Sequence, residues 1–69
     1  MTADDIVAAG AFALYRAENP HRVVEFAKGG DAEAAIAADF ETYKGRYVRK
    51  FEDLRASLAS LGLTVTRAA

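Results

Sequence analysis

The side chains able to do chemistry are few and scattered. His21 is the only histidine, there is no cysteine, and no other strong metal ligand clusters near His21. A thiolate zinc site, a cysteine nucleophile and a disulfide framework are therefore excluded. Ser57 and Ser60 sit mid-helix without a histidine or lysine base nearby in sequence and read as surface positions. Asp4-Asp5 and Glu52-Asp53 are adjacent pairs, and neighbours on a helix point in different directions, so they read as capping or solvated charges and not as an acid/base pair. Gly29-Gly30 lacks the flanking glycine, lysine and hydroxyl residues of a phosphate-cradling loop. The expectation is a non-enzyme with no catalytic, cofactor-binding or metal-binding residues.

One segment invites a functional reading: Tyr43-Lys44-Gly45-Arg46-Tyr47-Val48-Arg49-Lys50-Phe51. Arg46, Arg49 and Lys50 share one sector of a helical wheel, and Arg46 and Lys50 are like charges at i, i+4. Basic residues interleaved with aromatics suit nucleic acid. The aromatics, however, fall on an apolar stripe and are better read as core. A salt-bridged surface ranks first, contact with an acidic partner second, and nucleic acid third.

That stripe dictates the architecture. Ile36, Phe40, Tyr43, Tyr47, Phe51, Leu54, Leu58 and Leu61 follow at steps of three or four, close to the α-helical period of about 3.6. The spacing predicts a helix near 32–61, capped by Asp31 and ended by Gly62, with Leu63 folding back in a Schellman motif. Gly45 interrupts it, but the stripe keeps its phase across the glycine, so the helix is expected to continue. Gly45 lies opposite the stripe with Ala34, Ala38, Ala56 and Ala59, a line of helix formers or a second contact face. Two shorter helices precede it. A capping box from Thr2 to Asp5 opens the first, near 3–18, and Asn19-Pro20 ends it and, as N-cap and first residue, starts the second, near 20–28. Gly29-Gly30 is expected to supply a left-handed stop. Leu63–Thr66 reads as an extended tail.

The fold expectation is thus all-α: a single domain over 1–69, with two short helices packed on one long one. The core should hold Ile6, Val7, Leu14, Val23 or Val24, Phe26, Ile36, Phe40, Tyr43, Tyr47, Phe51 and Leu54. On the first helix, Ala3, Ile6, Val7, Gly10, Ala13, Leu14 and Ala17 form the expected packing face, with Gly10 where a helix could cross closely. Phe12 and Tyr15 lie on its far side.

Length and charge point to association. A 30-residue helix spans about 45 Å, while the two shorter helices, bent at Pro20, offer about 24 and 13 Å. Part of the stripe should stay bare, and a homodimer is the simplest cover. Phe12, Tyr15, Leu54, Leu58 and Leu61 are the expected interface. Residues 1–43 carry eight acids and three bases, and residues 44–69 carry six bases and two acids, so halves of −5 and +4 attract. No apolar run reaches membrane length and the N-terminus is acidic, which predicts a soluble cytoplasmic protein. Abundant alanine and an excess of arginine over lysine suggest GC-rich coding, hence a bacterium or phage. The functional expectation is a helical protein–protein interaction module: an adaptor, inhibitor or assembly component. The alternative is a nucleic-acid accessory protein acting through Arg46, Arg49 and Lys50.

Overall fold

The computed structural model describes residues 3–67, with side chains from Ile6 onward. It is all-α: α1 (Ala3–Glu18), α2 (Pro20–Ala27) and α3 (Ala32–Ser60), followed by an extended tail. The molecule measures 42 × 22 × 19 Å, so its long dimension is α3 itself. Both shorter helices pack against α3.

Each boundary has a local cause. Pro20 is the first residue of α2, where a missing N–H is harmless. The expected side-chain cap from Asn19 does not form. Instead its amide donates to the Tyr15 carbonyl at 2.8 Å and to the Tyr47 hydroxyl at 2.9 Å, tying the α1–α2 corner to α3. After α2, Lys28 N–H bonds Glu25 O and Gly29 N–H bonds Phe26 O, a tightened last turn. Neither Gly29 nor Gly30 has positive φ, so the expected left-handed stop is corrected: the helix ends on a right-handed turn.

Asp31 caps α3 by accepting the Ala34 N–H at 3.2 Å. α3 runs without a break through Gly45, where a Cβ would meet nothing within 4 Å. At its end Gly62 has φ +80°, Leu63 N–H bonds Leu58 O at 2.9 Å, and Gly62 N–H bonds Ala59 O at 3.0 Å. These are the two bonds of a Schellman motif. The capping box expected from Thr2 to Asp5 lies outside the residues whose side chains are described.

The buried core is Ala11, Tyr15, Ile36, Phe40, Tyr47 and Phe51, with Ile6, Val7, Phe12, Leu14, Val23, Phe26, Val48 and Val65 packed against it. Two members of the expected core are corrected outward: Tyr43 is 38% and Leu54 41% exposed. On the wheel these two and Leu61 lie toward one edge of the stripe, and the short helices leave that edge bare. Of the two valines in α2, Val23 packs inward and Val24 faces out.

The orientation of α1 also differs from the wheel reading. Its packed face centres on Ala11 and Tyr15, about 100° round from the Gly10–Leu14–Ala17 line. The aromatic side draws the helix in. Tyr15 and Phe12 stack at 6.0 Å between centroids, Phe12 meets Phe40 edge-on at 5.1 Å, and Tyr15 meets Tyr47 edge-on at 5.8 Å. Edge-to-face pairs of this kind contribute about 0.5–1.5 kcal/mol each beyond the area they bury. Gly10 retains the role expected of it, because a Cβ there would overlap the Phe51 ring.

Candidate functional site

Two surfaces stand out, and the turn of α1 creates both. The first is an apolar groove of about 630 Å³ between α1 and the C-terminal half of α3. Its α1 wall is the face left over by the rotation: Ile6, Ala9, Gly10, Ala13, Leu14 and Ala17. Phe51 and Leu54 form the opposite wall, and Val65, Thr66 and Arg67 of the tail edge it. Val65 packs on the core, so the tail folds back over the bundle instead of standing free. Beyond the groove the seam of α3 continues outward, with Leu58 half-buried and Leu61 75% exposed.

The second surface is a polar pocket of about 160 Å³ where the three helices meet, lined by Tyr15, Asn19, Arg22, Asp39, Tyr43, Arg46 and Tyr47. Asp39 is its hub. The Tyr15 hydroxyl donates to Asp39 Oδ2 at 2.5 Å, Arg22 Nε donates to the same oxygen at 3.1 Å, and Arg22 Nη2 pairs with Oδ1. The carboxylate is thus held by a two-pronged guanidinium plus a phenol, the arrangement that gives charge-assisted bonds their geometric specificity. Burial, then the bond and the negative charge of Asp39, push the Tyr15 hydroxyl up to about 12. The bond to Asp39 likewise raises Arg22 above its ordinary value. Among the described residues no buried side-chain polar atom lacks a partner.

The residues expected at an interface divide between these surfaces and the core. Leu54 lines the groove, and the seam continues through half-buried Leu58 to exposed Leu61. Tyr15 is only 1% exposed and is enclosed within its own protomer, with Phe12 half-buried beside it. Arg46, Arg49 and Lys50 are all exposed on α3, with different neighbours. Lys50 Nζ reaches across to both Glu18 carboxylate oxygens, at 2.8 and 3.1 Å. Arg46 stands over the Tyr43 ring at 5.9 Å, and Arg49 is exposed with no polar partner among the described residues.

His21 is exposed in the first turn of α2 beside a shallow hollow shared with Arg22, Glu25 and Phe26. No three His, Cys, Asp or Glu side chains gather as a metal set among the described residues, and no helix there is long and apolar enough to cross a membrane.

Sequence reasoning missed the Tyr15–Asp39–Arg22 network. Asp39 occupies a half-buried position beside Phe40, and that interruption of the stripe's flank by an acid was the available signal. No family model matches the chain, and no curated protein or solved structure matches it either.

Proposed function

We propose that this chain is a helical protein–protein interaction module that associates with a second copy of itself through the α1–α3 groove. The observation that carries the reading is the groove's apolar wall beside a seam of leucines that its own protomer leaves bare. An exposed apolar surface of this extent marks a contact site in a small domain. A second copy is the occupant we propose: seating the leucine end of one α3, Leu58 and Leu61, in the partner's groove covers apolar surface on both chains, and a two-fold axis repeats the contact. Each leucine side chain buried contributes about 1.5–3 kcal/mol.

The test is the mass in solution across a concentration series, read by sedimentation equilibrium. The expected result is twice 7.4 kDa, with a melting midpoint that rises with protein concentration. Ala13→Glu places a charge on an exposed groove residue of α1 without touching the protomer core, and should yield a helical monomer. A wild-type monomer at high micromolar concentration, with a concentration-independent midpoint, rules the dimer out. Binding of mixed-sequence DNA or RNA that is lost with salt and with Arg46→Ala plus Arg49→Ala would instead move the function to a nucleic-acid accessory role.

A further inference from the structure

We propose that the polar pocket where the three helices meet binds a small oxyanion, a phosphate or carboxylate group, between the guanidinium groups of Arg22 and Arg46. This site is separate from the apolar groove, and the inference does not rest on dimerisation.

The two arginines come from different helices, yet both stand over one ring, Tyr43, at 5.7 and 5.9 Å. Only one carboxylate, Asp39, lies among the residues around them. Its oxygens already accept the Tyr15 hydroxyl and two nitrogens of Arg22. The pocket is left with a formal charge of +1, carried by Arg46. The i+4 neighbour of Arg46, Lys50, is paired with Glu18 while its ammonium lies over the Tyr47 ring at 5.6 Å, and no carboxylate pairs with Arg46 among the described residues.

A third donor is available. The Tyr47 hydroxyl accepts the Asn19 amide at 2.9 Å, while its own proton has no acceptor among the described residues. Arg22, 49% exposed at its side chain, retains N–H groups beyond the two that Asp39 takes. Two guanidinium forks and a phenol proton line one small space whose single carboxylate, Asp39, is already engaged by Arg22 and Tyr15, which leaves spare donors suited to an oxyanion. Tyr43 keeps both cations close despite their repulsion, through cation–π attraction. The volume of about 160 Å³ admits one phosphate or carboxylate group.

The experiment is a titration of the isotope-labelled full chain with inorganic phosphate at constant ionic strength, followed by amide and arginine side-chain NMR shifts. Saturable shifts are expected at Asn19, Arg22, Tyr43 and Arg46. Arg46→Gln should weaken the apparent affinity roughly tenfold, the scale of one hydrogen bond to a charged group. Arg49→Gln removes the same charge from the same helix outside the pocket and should leave the affinity unchanged. A parallel acetate titration identifies the source of the oxyanion: saturation by acetate assigns a carboxylate, and saturation by phosphate alone assigns a phosphoryl group. Circular dichroism checks that Arg46→Gln remains helical, as expected for an exposed residue whose one described contact is the Tyr43 face. Shifts that rise linearly without saturating, or that both variants weaken equally, show general charge screening and overturn the proposal.

Discussion

Tyr15→Phe isolates a part-buried polar contact between α1 and α3. The substitution keeps the ring and its stacking with Phe12, Phe40 and Tyr47 and deletes only the hydroxyl that reaches Asp39 at 2.5 Å. Asp39 keeps both bonds from Arg22, so no buried charge is orphaned. The loss is therefore that of a single hydrogen bond to a charged acceptor, about 1.5–3 kcal/mol, taken at the lower end because the carboxylate stays partnered. With a urea m-value of about 1 kcal/mol/M for a chain this small, the midpoint should fall by about 1.5 M. The measurement is urea unfolding followed by circular dichroism, at one fixed protein concentration.

A second signature lies in alkali. Tyr15 is pushed up to about 12 in the fold, by burial and then by Asp39, against 10.0 for the free side chain. A raised value means that the stabilisation is complete below the unfolded value and is lost as pH climbs through the folded one. A shift of that size corresponds to at most about 2.7 kcal/mol. The hydroxyl opens onto a solvent-accessible pocket that screens it, so about 1 kcal/mol is expected. Wild type should lose this amount between about pH 10 and 12, and Tyr15→Phe should not. An unchanged midpoint at neutral pH, or parallel decline of both proteins in alkali, would refute the reasoning.

Three further outcomes follow from the backbone and the helix crossing. Gly10→Val forces a side chain into the Phe51 ring and should cost about 1–3 kcal/mol; an equal or higher melting midpoint would show that the ring slides into the groove instead. Gly45→Ala meets open space in a continuous helix and should raise stability by about 0.5–1 kcal/mol, whereas a fall would reveal a partner packed on that face. Asp31→Ala removes the acceptor for the Ala34 N–H and should cost about 1 kcal/mol, read as a lower midpoint together with faster amide exchange in the first turn of α3.

The helices themselves were legible in the chain because their causes are local. A period near 3.6 from Ile36 to Leu61, proline after Asn19, Asp31 before an alanine-rich start and Gly62 at the end each act within a few residues. The Schellman stop at Gly62 needs only a residue free to take positive φ. Three helices of the observed lengths were therefore expected, and so was the close crossing at Gly10.

The facing of those helices was decided by contacts between residues far apart in sequence. α1 is apolar on two sides, and a wheel cannot say which side wins. Tyr15 settles it, because its ring fits among Phe12, Phe40 and Tyr47 while its hydroxyl finds Asp39, 24 residues away. That choice turns Ala9 and Ala13 outward as a groove wall. It also leaves Leu54 half-bare and gathers Arg22 and Arg46 over one tyrosine. Periodicity determines that a face will be buried; only the competition among tertiary contacts determines which face, and hence where the binding surfaces lie.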